Sequence, residues 1–137
     1  FFLMVKMFGQ MLPLLLSYAR TKEIDEAAAI KAYNRAKDKR IVICDKYYYF
    51  NFKNFPEPLV MVYPDPRGQW AAKNIQEDDT LYKAKFYFPE SWRGKKDEEL
   101  EQATGIKGAR FCHNSGFLIT ADKKETVLKM IKLAFNE

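Results

Sequence analysis

The stretch RIVICD, residues Arg40–Asp45, marks the point where the periodicity of this 137-residue sequence changes. Before it, apolar residues recur at spacings of three and four, which is typical of amphipathic helices. After it, short β-branched and aromatic runs are separated by turn residues, which is typical of strands. The change predicts N-terminal helices over residues 1–37 and a sheet-containing region over residues 40–137, together forming a single domain.

Two helices are predicted upstream of RIVICD. The first carries an apolar stripe from Phe1 to Leu16, and Pro13 is expected to bend it. The second covers Ile24–Ala36, is rich in alanine, and leads into the basic stretch Arg35–Arg40, where cations favour a helix C-terminus. The helical part of the chain is therefore expected to form two separate segments.

The first residues have the composition of a membrane anchor or a signal peptide but lack the pattern of either. Lys6, Gln10 and Pro13 interrupt the apolar run well below the length that spans a bilayer, and no basic segment precedes it. We therefore expect no interaction with a membrane. Because the chain begins with Phe, it is expected to be a piece of a longer protein, in which the first helix packs against a neighbouring domain or closes a homodimer.

Further strands are predicted in YYYFNF (residues 47–52), LVMVY (59–63), the segment 70–75, LYKAKFYF (81–88) and ARFCH (109–113). Between the last two, a short helix is predicted with Asp97 as its N-cap and Gly105 as the left-handed residue that ends it. An apolar stripe after residue 122 predicts a final helix. This order of elements indicates an α+β fold with a mixed, largely antiparallel sheet flanked by helices.

The charge and cysteine content narrow the class of protein. The net charge is +5 and the sequence pI about 9.1, but 18 acidic residues are interspersed with 23 Lys and Arg, which favours a solvated surface over a nucleic-acid footprint. Cys44 and Cys112 lie in apolar runs, so both are expected to be buried free thiols. We therefore predict an intracellular protein, located in the cytoplasm, nucleus or mitochondrion.

His113 is the single histidine of the chain, and one histidine is too few for most metal sites or catalytic triads. It can still belong to an anion site, because Gly116 permits close backbone approach and Arg93 offers a planar fork for a phosphate. The alternative is that His113 and Asn114 satisfy local backbone groups while Gly116 forms a turn. Residue types alone favour this alternative.

The aromatic residues allow a similar pair of interpretations. Trp70, Trp92 and the run Tyr47–Phe52 can stack on nucleic-acid bases, but alternate residues of a strand face a core, which is the expected place of most of these rings. Trp92 lies in a loop beside Arg93. It is therefore predicted to be the most exposed of these candidates.

Four short motifs occur together over residues 88–117, in FPESWRGKKDEELEQATGIKGARFCHNSGF. They are a P-x-S-W-R-G turn at Pro89–Gly94, an acidic D-E-E-L helix at Asp97–Leu100, a glycine-containing loop at Thr104–Gly108, and F-x-H-x-x-G-F at Phe111–Phe117. Together they resemble the C-terminal half of the Myg (melanocyte proliferating gene) family, which is related to DHH-type metal-dependent phosphoesterases. That family usually has two glycines shortly after the GF pair, whereas this chain has Leu118–Ala121.

The resemblance implies a DHHA1-like C-terminal domain that binds the substrate of a phosphoesterase acting on RNA or nucleotides. It implies phosphate contacts from His113 and Arg93, a loop shaped by Asn114 and Gly116, and Trp92 packed or stacked at the entrance beside Gly94. Manganese or another divalent metal is implied for a catalytic DHH domain, whose motifs are absent from these 137 residues, so this chain alone is expected to bind no cofactor. That domain and an RNA or nucleotide phosphate are the implied partners.

The alternative function is a non-catalytic interaction or dimerisation domain. In that interpretation the same motifs are structural turns, and the apolar helix at the N-terminus binds a partner. A phosphodiesterase assay on the longer protein, with Arg93 and His113 replaced, distinguishes the two functions.

Overall fold

The computed structural model of the chain describes residues 2–77 and 83–136. In these residues the elements are, in chain order, α1 (Phe2–Arg35), β1 (Ile41–Ile43), a 3-10 turn (Phe52–Asn54), β2 (Val60–Pro64), β3 (Trp70–Asn74), α2 (Asp97–Thr104), β4 (Ala109–Cys112), β5 (Leu118–Ala121) and α3 (Lys124–Asn136). The predicted α+β class is confirmed.

The strands form one sheet in the order β1-β2-β3-β5-β4. β1 and β2 are parallel, and every other neighbouring pair is antiparallel, so the sheet is mixed and largely antiparallel as predicted. β5 was not among the predicted strands. It lies between β3 and β4, and it therefore places the loop 113–117 at the end of a β-hairpin.

The helical part is one helix, and the prediction of two was wrong. α1 runs unbroken from Phe2 to Arg35 with Pro13 inside it. The linking residues SYARTKE contain neither glycine nor a second proline, so nothing in the sequence ends the helix there. In the described residues, no helix is both long enough and apolar enough to cross a membrane.

The aromatic run Tyr47–Phe52 was predicted to be a strand, and this prediction was wrong. Its residues form an irregular segment that leads into the 3-10 turn. The reason is topological, because parallel neighbours such as β1 and β2 cannot be joined by a tight hairpin and the chain must return to the start of the sheet. Tyr49 is fixed during this return by its backbone N–H, which donates to the Asp25 carboxylate on α1 at 3.0 Å.

Of the other local predictions, one lies partly outside the described residues, one is confirmed and one was wrong. Of the predicted strand 81–88, residues 81 and 82 lie outside the described residues, and the rest contributes one isolated bridge between Gln76 and Ala84. Gly105 ends α2 with φ 70° as predicted. Asp97 is not the N-cap of α2, because Lys96 takes that place and Asp97 is the first helical residue, with φ 49°.

Side chains that alternate along the strands divide the sheet into two faces. One face packs against α2 and α3 and holds the larger core, which includes Val62, Ala72, Ile119 and Trp92. The second face packs against the C-terminal half of α1 and the aromatic segment, around Met61 and Phe52. The residues of α1 from Leu3 to Leu16 take no part in either core, and their apolar side chains are exposed.

Candidate functional site

The turn Pro89–Gly94 is fastened to the outer strand β4. The backbone N–H of Trp92 donates to the Pro89 carbonyl at 3.0 Å, which closes the turn. The Gly94 N–H then donates to the Cys112 carbonyl at 2.9 Å, and the Cys112 N–H donates to the Lys95 carbonyl at 3.0 Å. This pairing holds the turn beside the end of β4, next to His113.

The residues between β4 and β5 form the second part of the site. The His113 N–H donates to the Leu118 carbonyl at 2.9 Å, and the Gly116 N–H donates to the His113 carbonyl at 2.9 Å. Gly116 has φ 75°, a conformation that residues with a Cβ rarely adopt. The sequence therefore folds here as a tight loop that requires glycine at position 116.

The turn and the loop fit into each other through their glycines. A Cβ added at Gly116 would lie 2.6 Å from Arg93 Nε, and a Cβ added at Gly94 would lie 2.5 Å from Asn114 Oδ1. The two motifs that the sequence places about twenty residues apart are therefore in direct contact. The structure brings the six predicted site residues together, with Gly94, His113 and Asn114 exposed, Arg93 half-buried, and Gly116 and Trp92 buried.

His113 is exposed, and its ring is oriented by the loop itself. Its Nδ1 accepts the backbone N–H of Ser115 at 3.1 Å and lies 2.6 Å from the Ser115 hydroxyl oxygen. Because an accepting Nδ1 carries no proton, the neutral ring carries its proton on Nε2. His113 thus satisfies a local backbone group, as the alternative interpretation has it, and the Nε2–H of the exposed ring is still a donor.

Arg93 is held at the base of the loop. Its Nε donates to the Phe88 carbonyl at 3.0 Å, and its guanidinium lies over the Tyr87 ring at 5.9 Å from the centroid. Its NH1 lies 3.7 Å from a carboxylate oxygen of Glu90, whose side chain is 89% exposed. Such an exposed ion pair is weak, and an anion of higher charge can compete with it.

Trp92 was predicted to be exposed, and this prediction was wrong. Its side chain is 0% exposed and belongs to the larger core, where it stacks on Phe88 with ring planes 18° apart. Its Nε1–H has no hydrogen-bond partner within the described parts of the chain. The turn places the indole under the site because the Gly94 contact with β4 directs residue 92 inward. Trp92 therefore supports the loop from within the core.

Asn74 also supports the loop, although no pattern in the sequence points to it. Its buried amide donates to the Phe86 carbonyl at 2.7 Å and to the Gly116 carbonyl at 3.3 Å. It lies at the end of β3 and so links the loop to the centre of the sheet. A lone asparagine in a predicted strand has many ordinary explanations, and only the register of β3 against β5 reveals this role.

The cysteines and acidic residues form no metal-binding cluster among residues 2–77 and 83–136. Both cysteines are buried and free, as predicted. Burial raises the pKa of Cys112 from 9.0 to about 11, against the opposing effect of the Arg93 charge, and raises that of Cys44 to about 12. No cluster of three or more His, Cys, Asp or Glu side chains within that part of the chain is suited to a metal ion. The described residues therefore do not fit a divalent metal.

Comparison with known proteins shows one family and several relatives to which the chain is similar. The MYG1_exonuc family, described as an uncharacterised protein family (UPF0160), matches residues 4–135. A MYG1 exonuclease of Rattus norvegicus is 35% identical over 72 residues, which are 53% of this chain and 19% of that protein. A MYG1 protein of Schizosaccharomyces pombe is 29% identical over 130 residues, which are 88% of this chain and 39% of that protein.

The chain is also similar to a bacterial protein. A MYG1 protein of Chlamydia trachomatis is 31% identical over 90 residues, or 65% of this chain and 31% of that protein. The chain thus spans 19% to 39% of the lengths of these three relatives. No solved structure matches the chain significantly.

Proposed function

This chain belongs to the MYG1_exonuc family, and from that premise we propose that it is the substrate-binding part of a MYG1-like phosphodiester hydrolase acting on RNA or nucleotides inside the cell. The resemblance noted in the sequence implies that metal is bound by a separate DHH-type domain. Among the described residues of this chain, no three His, Cys, Asp or Glu side chains are grouped so that they could hold a metal ion. Hydrolysis is accordingly assigned to that domain, and binding of the substrate phosphate to this one.

The observation that carries the proposal is the exposed His113 ring on a loop that is closed by its own hydrogen bonds. Its Nδ1 is occupied by the Ser115 backbone, which fixes the tautomer and directs an Nε2–H donor away from the loop backbone. A hydrogen bond from such a donor to a charged phosphate oxygen is about twice as strong as one between neutral groups. Because the loop is already ordered, little conformational entropy is lost on binding.

The neighbouring residues have distinct roles in this proposal. Arg93 supplies positive charge beside the loop, and a phosphate would replace the exposed Glu90 carboxylate at NH1. Asn114 and Gly94 form the contact that joins the loop to the turn, and Gly116 allows the backbone to pass over Arg93. Trp92, predicted as a stacking residue, contributes only as a buried support.

The test uses a longer protein that contains this chain together with a DHH-type domain. Hydrolysis of a short single-stranded RNA is measured with a divalent metal for the wild type, His113→Ala and His113→Gln. We expect His113→Ala to raise KM at least about ten-fold with a smaller change in kcat, and the glutamine N–H to restore part of the loss. Unchanged KM in His113→Ala, with metal-dependent activity intact, would show that this loop does not bind the substrate.

A second function, protein interaction, is favoured by one observation. The apolar side chains of α1 between Leu3 and Leu16 are exposed, with Leu3 at 77% and Leu14 at 72%. An exposed apolar surface of this extent is normally covered by a neighbouring element. We propose that this segment, the apolar half of α1, packs against the catalytic domain, and that a homodimer is the alternative arrangement.

The two arrangements differ in the molecular mass of the isolated chain in solution. Sedimentation equilibrium is measured for the wild type and for Leu12→Glu/Leu15→Glu, with Lys129→Glu on α3 as a matched control for charge. A monomer that associates in trans with a separately expressed DHH-type domain, and loses that association in the double variant, supports docking to the domain. A wild-type dimer that the double variant dissociates supports self-association.

A further inference from the structure

A second concave site lies on the face of the sheet that packs against α1. It encloses about 330 Å³, which is within the usual range for small-molecule sites. Aromatic side chains form its walls, with Tyr47 and Tyr49 on the irregular segment and Tyr18 on α1, while Met61 and Lys73 form the floor. We call this the tyrosine pocket.

The rings of the tyrosine pocket are held in place before any ligand arrives. Tyr47 and Tyr49 meet edge to face with centroids 5.0 Å apart, and Tyr47 meets Tyr63 at 5.1 Å. The Tyr49 backbone donates to the buried Asp25 carboxylate, yet the Tyr49 side chain is 69% exposed. A large aromatic ring on a fixed backbone that remains exposed offers a face for stacking.

The charge of the tyrosine pocket favours an anionic ligand. Its described lining includes two lysines, Lys22 and Lys73, and no carboxylate. Lys73 Nζ donates to the Tyr47 hydroxyl at 3.4 Å and lies 5.4 Å from the centroid of that ring. Gln76 also lines the site, and a glutamine amide can donate to and accept from the edge of a nucleobase.

The register of the sheet connects this pocket to the His113 loop. Lys73 of β3 is paired with Leu118 of β5, so the two side chains lie on the same face. The Leu118 carbonyl accepts the His113 N–H at 2.9 Å. Phe111 and His113 are two residues apart on β4 and its extension, and their rings meet at 6.3 Å. The loop and the pocket therefore lie on the same face of the sheet. β5 separates β3, which carries Lys73, from β4, which leads into the loop.

We infer that the tyrosine pocket binds a nucleobase of a single-stranded nucleic acid whose phosphate lies at the His113 loop. The inference rests on the proposed function, and it adds a second contact and a direction for the strand across the sheet. Tyr49 stacks on the base, Lys73 neutralises the neighbouring phosphate, and Gln76 contacts the base edge. Aromatic rings combined with cations are the common basis of single-strand binding that tolerates many sequences.

The experiment measures binding of a fluorescein-labelled single-stranded RNA of about ten nucleotides to the whole chain by anisotropy at several salt concentrations. Tyr49→Ala is expected to weaken binding about 5- to 100-fold, and Tyr49→Phe, which keeps the ring, to leave it within about two-fold. Lys73→Gln is expected to reduce the salt slope by about 0.7. Lys129→Gln on α3 removes the same charge on the other side of the sheet and is expected to leave the slope unchanged.

The outcomes separate the pocket from the proposed function. If His113→Ala weakens binding and Tyr49→Ala does not, the pocket inference is wrong while the role of the loop stands. If Tyr49→Ala weakens binding and His113→Ala does not, the pocket stands and the role of His113 is wrong. If poly-L-glutamate competes as well as RNA does, charge alone is recognised and the pocket inference is wrong. Absence of RNA binding by the wild-type chain would also overturn the pocket inference. In that case, hydrolysis by the longer protein still tests the proposed function separately.

Discussion

The turn at Trp92 and the loop at His113 come from the same group of motifs, but the fold uses them in opposite ways. Trp92 is fully buried against Phe88, whereas His113 is exposed at the end of a hairpin. The two are joined by contacts at Gly94 and Gly116. The difference shows that a short motif can combine a structural anchor with a surface contact. Its largest residue is therefore a poor guide to where a ligand binds.

The largest difference between the two residues is expected when each is replaced by alanine. Trp92→Ala deletes a fully buried indole from the larger core and is expected to lower the free energy of unfolding by about 3–5 kcal/mol. His113→Ala removes an exposed ring and is expected to change it by no more than about 0.5 kcal/mol. Urea unfolding of both variants measures this difference. Equal losses would contradict the separation into support and contact.

Trp92→Phe sharpens the same comparison, because the Trp92 Nε1–H has no hydrogen-bond partner among the described residues. Phenylalanine keeps the stack on Phe88 and removes that buried donor, so part of the packing loss is offset. We expect Trp92→Phe to be clearly more stable than Trp92→Ala in urea unfolding. A loss as large as that of the alanine variant would mean that the indole N–H is bonded in solution.

The glycine contact between turn and loop can be tested against a glycine with no such contact. Gly116 and Gly68 both have positive φ, but an added Cβ meets Arg93 Nε at 2.6 Å at Gly116 and nothing within 4 Å at Gly68. Gly68→Ala is expected to lower the free energy of unfolding by about 1 kcal/mol, and Gly116→Ala to lower it further, by about 2–3 kcal/mol. Thermal unfolding of the two variants measures both costs. Equal costs would show that Arg93 does not constrain the loop.

The buried thiols give a smaller effect that depends on pH. Burial raises the pKa of Cys44 to about 12 and of Cys112 to about 11 in the folded chain, while the unfolded chain has the ordinary value of 9.0. Above pH 9 the unfolded state therefore binds fewer protons than the folded state, and stability falls as pH rises toward 11–12. We expect Cys112→Ala to flatten this fall between pH 9 and 11, as measured by unfolding at fixed temperature. An unchanged slope would indicate that the Cys112 thiol is accessible to solvent.

Much of the fold followed from local sequence signals. RIVICD and LVMVY became β1 and β2, and Gly105 ended α2, because β-branched runs and a left-handed glycine act over a few residues. β5 and the irregular course of Tyr47–Phe52 did not follow, since both depend on which strands become neighbours. The single helix α1 was missed because its apolar stripe stops at Leu16 although its backbone continues.

The sequence predicted which residues lie together at the candidate site better than it predicted what each of them contributes. The motifs identified Arg93, Gly94, His113, Asn114 and Gly116, and the fold brings these residues together. The burial of Trp92 depends on how the turn pairs with β4, which no pattern of residue types reveals. The support from Asn74 and the tyrosine pocket depend on the register of β3, so both required the structure.

The central claim is that His113 contacts a phosphate while the turn beneath it only supports the loop. It is tested most directly by isothermal titration of the chain with a short single-stranded RNA, comparing the wild type with His113→Ala and confirming by circular dichroism that both are folded. We predict that His113→Ala binds at least about ten-fold more weakly at unchanged stability. Equal affinity of the two folded proteins would contradict the claim.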